Sequence, residues 1–313
     1  MIDSVLLHDH LDGGIRESTL IELSNGRFAG YRDPSAGSLA EYLKTFSEVV
    51  ELIQSPEALE RVALEAVEDL CSNGVRYFEV RFAPALHTRR GLSVLEVIEA
   101  VSSGIKKGVS QLQDIRGGVI LCALRGEDPQ SLTDSLSLLS NLQEVVGIDL
   151  AGDESLGDVM DYRDFFNEGK KYGLGVTVHA GETGSWRNVV SSIDVGADRI
   201  GHGLALDRAP EEVKRRVVES GVCLEMCLSS NVHTGSLNSI DEHPAVCMLR
   251  QGFNVTLNTD NRSVSKTSMA LEINHAYSLG CSDAEVRHMR DMAVEASFAD
   301  EATKRWISRR LVT

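Results

Sequence analysis

Val145-Val146-Gly147-Ile148-Asp149-Leu150-Ala151 is a nearly continuous apolar run opened by two β-branched residues. A run of that length and composition fits a strand buried on both faces, as the strands of a parallel sheet are. Towards the N-terminus, similar runs stand at 118–124, 77–84 and 5–7. Towards the C-terminus they stand at 174–179, 198–203, 222–228 and 253–259. Segments with helical spacing lie between them, among them 57–71, 92–108, 211–220 and 244–252. Eight strands alternating with helices predict an α/β fold, a (β/α)8 TIM barrel. The count of eight separates it from a doubly wound sheet, which alternates in the same way.

The interval between the first two runs is far longer than one helix needs. It holds two stretches readable as helices, 18–24 and 40–54, with Gly26, Gly30, Pro34 and Gly37 between them. A long insertion after the first strand of a barrel emerges at the face where such folds build their sites. Residues 17–56 are therefore expected to form a helical lid or a plain packing pair, within a single domain spanning 1–313. Two further helices, 283–297 and 300–311, are expected to close the chain.

With 42% of its 313 residues hydrophobic, the chain can bury a large core. Its 31 Lys and Arg against 47 Asp and Glu give a net charge of −16, which repels polyanions. Nucleic acid and anionic membranes are thus poor partners, whereas a small neutral ligand is unaffected. The N-terminus lacks a basic and then apolar leader pattern, and no apolar stretch is long enough to span a bilayer. A cytoplasmic protein is expected. Six cysteines without a C-x-x-C pair read as reduced thiols. Oligomeric state leaves no legible trace.

The polar residues at the ends of the runs carry the chemistry. His8 and His10, two apart, share one face of an extended strand. His179 ends the fifth run, followed by Glu182; His202 ends the sixth; Asp260 ends the eighth. Taken singly, each reads equally well as a capped strand end or a satisfied core histidine. Together they occupy the same end of four strands, and three imidazoles with a carboxylate suit zinc. His87, His233, His243, His275 and His288 read as structural or surface residues.

Those residues sit in recognisable motifs. His8-Asp9-His10-Leu11-Asp12-Gly13, Val178-His179-Ala180-Gly181-Glu182, Ile200-Gly201-His202-Gly203, Leu228-Ser229-Ser230-Asn231 and Thr256-Leu257-Asn258-Thr259-Asp260 resemble the adenosine deaminase family, in order and at matching strand ends. Gly147-Ile148-Asp149-Leu150-Ala151-Gly152-Asp153-Glu154 and Arg81-Phe82-Ala83-Pro84 fit the same pattern. The resemblance implies that His8, His10, His179 and Asp260 hold one zinc per chain, which makes water nucleophilic. It implies that Glu182 protonates purine N1 and that His202 orients the attacking water. His10, Asp12, Gly152 and Asn261 would contact the substrate. Asp12 would accept from the ribose 5′-hydroxyl, Gly152 N–H would meet N3, and Asn261 would donate to N7.

Some positions depart from the family pattern. Asn261 stands for a common Asp, and an amide donates without needing a raised pKa. Arg262-Ser263-Val264-Ser265 replaces a Pro-containing turn, Glu17 replaces a Pro and Gly14 replaces a Ser. None of these removes a metal ligand. The implied reaction is hydrolysis of adenosine or deoxyadenosine to the inosine form and ammonia, in purine salvage.

Other 6-aminopurines remain as alternatives. Asp12 argues against adenine and AMP, since a carboxylate repels phosphate. Aminodeoxyfutalosine carries a benzoate, for which Arg16 and Arg81 are candidate partners. A binuclear amidohydrolase would want a bridging Lys at the end of the fourth run, and 149–152 holds none. A cytidine-deaminase type would need P-C-x-x-C. A non-catalytic purine-binding relative would be expected to have lost Glu182, His202 or a zinc ligand.

Overall fold

The computed structural model describes residues 3–31, 39–183 and 185–311. Its strands are β1 (Ser4–His10), β2 (Val75–Phe82), β3 (Arg116–Leu124), β4 (Val145–Ala151), β5 (Gly175–Ala180), β6 (Arg199–His202), β7 (Cys223–Met226) and β8 (Asn254–Leu257). Each pairs in parallel with the next in chain order, and helices fill the intervals, as the expected barrel requires.

Closure between β8 and β1 is short. A single parallel bridge joins Asp9 to Asp260, with His10 N–H donating to the Asp260 carbonyl and Asp260 N–H to that of His8. One turn lower, the Asn258 side chain stands in for a strand. Its Oδ1 accepts from the Leu7 and His8 amides at 2.9 and 3.1 Å. The seam of the barrel thus lies under His8 and His10, and the residues that close it flank the residues of the site.

Strand periodicity sorts the side chains into two sets. Phe78, Val80 and Phe82 of β2 join the main hydrophobic core. Alternating with them, Glu79 and Arg81 are fully buried members of a polar network with Asp149, Thr177, Arg199 and Glu225. The barrel interior is therefore charged, which the mostly apolar look of the runs had not suggested. Tyr77-Phe78-Glu79-Val80-Arg81-Phe82 does alternate, and that was the available signal.

The interval after β1 holds helices Glu17–Leu23 and Leu39–Leu52, then Pro56–Ser72, which packs on β2 and on helix Val94–Leu112. Ser55 caps Pro56–Ser72 by accepting from Ala58 N–H, with Pro56 at a first-turn position where its missing N–H costs nothing. Pro34 and Gly37, expected between the inserted helices, lie outside the described residues. The insertion ends against the turn Pro84–His87: Gln54 donates to the Leu86 carbonyl and accepts from Arg89 N–H. It thus reaches the C-terminal end of β2. The closing helices are Asp283–Ala296 and Glu301–Arg310, the first opened by a Ser282–Glu285 capping box. Among the described residues, no helix is long and apolar enough to cross a membrane. All six cysteines are unpaired.

Candidate active site and metal centre

His8 and His10 at the end of β1, His179 on β5 and Asp260 after β8 each direct one ligand atom to a common point, with all four atoms within 4.8 Å of one another. Asp260 Oδ1 lies 3.5 Å from His8 Nε2 and 3.4 Å from His10 Nε2, and His10 Nε2 lies 3.2 Å from His179 Nε2. His202 closes the ring, its imidazole 5.1 Å from that of His8 and 5.3 Å from that of His179 between centroids. His202 and Asp260 both adopt left-handed backbone conformations, with φ of 68° and 61°. Such strain in non-glycine residues concentrates at functional sites.

The layer beneath fixes how the imidazoles point. His8 Nδ1 donates to Glu225 Oε2 at 2.9 Å, and His179 Nδ1 lies 2.9 Å from Asp149 Oδ2. Each carboxylate therefore holds its histidine with the Nε2 lone pair facing the centre, as metal-ligating histidines require. Arg81 ties the two carboxylates together, reaching Asp149 at 2.9 Å and Glu225 at 2.8 Å, and it also donates to the Leu7 carbonyl. Arg199 joins Glu225 to Glu79 at 2.6 Å each and stacks on Phe298.

Burial alone would raise the Glu225 and Asp149 carboxyls. Arg81 and Arg199 hold Glu225 well below the usual range, and His179 and Arg81 do the same for Asp149. Burial pushes His10 well below its ordinary value. Asp260, despite its burial, is held well below its usual range by the imidazoles of His8, His10 and His202 that face it.

Residues of this set fit a divalent cation. His8 Nε2 is buried without a hydrogen-bond partner among the described residues. The four buried carboxylates Glu79, Asp149, Glu225 and Asp260 face two guanidiniums, Arg81 and Arg199, with the imidazoles of His8 and His179 between. That leaves two negative charges in a dry interior, which a divalent cation neutralises.

Around the cluster stand the other expected residues. Glu182 lies at the rim with its side chain 22% exposed, Oε2 3.7 Å from His202 Nε2 and Oε1 accepting from Thr234. Its loop is built on Glu154, which accepts from the amides of Gly181, Glu182 and Thr183 and from the Asn188 side chain. Gly152, with φ of 93°, stands two residues before Glu154. Asn261 donates to Asp260 Oδ1 at 2.7 Å and packs on Gly13, where a Cβ would come within 1.9 Å of its Oδ1. Asp12 is buried, its Oδ1 without a hydrogen-bond partner among the described residues and its Oδ2 3.6 Å from His87 Nε2.

Two sequence expectations change here, those for Arg81 and Arg16. Arg81 offers nothing to a substrate carboxylate, because it is fully buried beneath the ligand cluster with both terminal nitrogens engaged by Asp149, Glu225 and the Leu7 carbonyl. Arg16 is likewise committed, to Glu68 and Asp69. His243, read as structural or surface, is buried and joined through Asn231 to His202. His87, set aside in the same way, faces Asp12.

The Arg262 turn also finds its explanation. Its guanidinium pairs with Asp9 and lies over Gly14, where a Cβ would come within 2.5 Å of Nη2. The small residue and the arginine therefore go together. The Ser263 and Val264 amides stitch the turn to the Gly13 carbonyl.

Comparison with known proteins agrees with this geometry. The adenosine deaminase family profile matches residues 4–313. An adenosine deaminase of Clostridium perfringens (strain SM101 / Type A) is 38% identical over 320 residues, covering 97% of this chain and 96% of its own. Among solved structures, an Arabidopsis N6-mAMP deaminase superposes with a TM-score of 0.87 at 28% identity, covering 99% of this chain and 97% of that one. An Arthrobacter aurescens adenine deaminase shares the fold, with a TM-score of 0.89 at 22% identity, covering 99% and 98%. The chain belongs to the adenosine deaminase family of metal-dependent hydrolytic deaminases.

Proposed function

We propose that this enzyme hydrolyses adenosine, and deoxyadenosine, to the inosine form and ammonia, using one zinc held by His8, His10, His179 and Asp260. The observation that carries the reading is the convergence of those four ligand atoms within 4.8 Å, with Glu182 and His202 together at their rim. Zinc supplies there a water whose pKa is lowered towards ~7.

The protein's own groups do the rest. Glu182, protonated, gives its proton to purine N1, which makes C6 electrophilic. His202 holds the attacking oxygen over C6. The C6–O bond forms, the C6–N bond breaks, and the departing amine takes a proton to leave as ammonia. Gly152 N–H is assigned to N3. Asn261 has a second amide hydrogen for N7 beyond the one given to Asp260.

Selectivity follows from charge. Buried Asp12 suits a ribose hydroxyl, which His10 would help to position, and disfavours a 5′-phosphate. Because Arg16 and Arg81 are neutralised within the protein, neither is available to the benzoate of aminodeoxyfutalosine. The partner is thus a small neutral nucleoside, and residues 17–56 are assigned to a lid beside the ribose end. The test is ultraviolet absorbance of the zinc-loaded protein with adenosine, aminodeoxyfutalosine, adenine and AMP in turn. Fast conversion of adenosine over AMP is expected. Conversion of aminodeoxyfutalosine or AMP with adenosine untouched would refute the substrate while leaving the metal chemistry in place.

A further inference from the structure

His202 carries the step that must be oriented, so the proton on its ring decides whether it offers a donor or a lone pair to the reacting oxygen. A chain of three hydrogen bonds behind the ring bears on this. Ala245 N–H, at the start of helix Ala245–Arg250, lies 3.2 Å from His243 Nδ1. His243 Nε2 lies 3.2 Å from Asn231 Oδ1, and Asn231 Nδ2 lies 3.0 Å from His202 Nδ1. His243, Asn231 and His202 are all buried.

A backbone amide can only donate, so the direction of the whole chain is set at Ala245. His243 Nδ1 must accept. Burial pushes the His243 pKa down to about 3, so the ring is neutral near pH 7 and its one proton sits on Nε2. That proton goes to Asn231 Oδ1. The amide is thereby oriented with its NH2 towards His202, and the reversed orientation would set two donors against each other. His202 Nδ1 is left as an acceptor.

We propose that His243 and Asn231 are positioning residues that hold His202 as the Nε2–H tautomer, so that it meets the reacting oxygen as a hydrogen-bond donor and not as a base. Nε2 is the atom that faces Glu182 Oε2 at 3.7 Å, on the side of the metal cluster. The assignment rests on the reading of His202 as a group that touches the reacting oxygen. Its test is independent of turnover.

Nitrogen-15 NMR of the zinc-loaded enzyme, labelled at histidine, reads the tautomer directly, with His202→Gln identifying the His202 signals by their loss. The expected spectrum has an unprotonated Nδ1 and a protonated Nε2 for His202. A carboxylate at 231 can only accept, so Asn231→Asp should move the proton to Nδ1. It should lower kcat by about two orders of magnitude, the usual effect of losing one preorganised donor, with KM within about threefold. His243→Ala should mix the two tautomers and lower kcat, whereas His243→Gln, which keeps a donor for Asn231, should restore both.

A protonated Nδ1 in the unaltered enzyme would overturn the proposal whether or not the protein deaminates adenosine. Equal losses in His243→Ala and His243→Gln with unchanged His202 signals would also overturn it. The expected spectrum in a protein that leaves adenosine untouched would support the hydrogen-bond chain and refute only the substrate.

Discussion

Glu182 is the residue whose role can be isolated most cleanly, because neither of its carboxyl oxygens is tied to the metal cluster. Its partners are Thr234 and His202, and its backbone is held separately by Glu154. Glu182→Gln should keep the loop and nucleoside binding but lose the N1 proton donor. Turnover should fall by about 10²–10⁴-fold, the range expected for a positioned general acid, with adenosine affinity by calorimetry within a few-fold. Undiminished turnover would remove Glu182 from the reaction.

A second test at this scale concerns Gly14 and Arg262, which fill one space. Gly14→Ser should destabilise by about 1–3 kcal/mol in urea melts, as overpacking does. Adding Arg262→Ala should recover part of that loss, whereas strictly additive effects would contradict the coupling. His8, His10, His179, His202 and Asp260 were legible in the sequence because each ends a run and belongs to a motif. The coupling of Gly14 to Arg262 was not legible, since nothing local links positions so far apart. His243 was missed for a related reason: a histidine before a proline in a loop gives no sign of the side chain it will meet.

Strands and helices act here mainly by fixing the directions of side chains. Glu225 on β7 orients His8 on β1, with Arg81 and Arg199 holding its charge. Glu225→Gln should weaken zinc binding by about 10–100-fold in chelator competition, as loss of a ligand's carboxylate partner does. Unchanged affinity would make Glu225 structural only.

Helix Leu228–His233, which carries Ser230 and Asn231, is held by Glu272. Its Oε2 accepts from the Leu228 and Ser229 amides, and Thr267 donates to its Oε1. Burial raises the Glu272 pKa from 4.5 to about 7. The folded state therefore keeps a proton that the unfolded chain loses above about pH 4.5. Stability from this group falls as pH rises from about 4.5 to 7. Glu272→Gln preserves an acceptor for both amides. It should match the wild type in urea melts near pH 4.5 and exceed it by about 1–3 kcal/mol at pH 8. A difference independent of pH would contradict the assignment.

The element order was legible because eight runs were long and apolar enough to count, and helix 211–220 was read with its observed bounds. The charged interior was not, because Glu79, Arg81, Asp149, Arg199 and Glu225 are spread over four strands. Each alone looks like a strand-edge charge, and only closure of the barrel brings them together.

At the scale of the whole molecule, the metal cluster and the barrel seam coincide. Ligands come from β1, β5 and the end of β8, and the backbone pairing of β8 with β1 is a single bridge, supplemented by side-chain bonds from Asn258, Thr259 and Arg262. A bound metal therefore links the two edges that the backbone joins least. Chelation should lower the urea midpoint with little change in slope. A site at 100-fold excess of free metal over Kd adds about 2.7 kcal/mol. Amide exchange should quicken first at 8–10 and 258–262, and uniform exchange across the barrel would argue against a role at the seam.

One metal at His8, His10, His179 and Asp260 is proposed to drive the deamination. The most direct test is ammonia release from adenosine by the metal-free protein during titration with zinc. Activity should rise from near zero, reach its plateau at one zinc per chain, and stay flat in Asp260→Ala. Full activity without metal, a plateau at two equivalents, or an unaffected Asp260→Ala would contradict it.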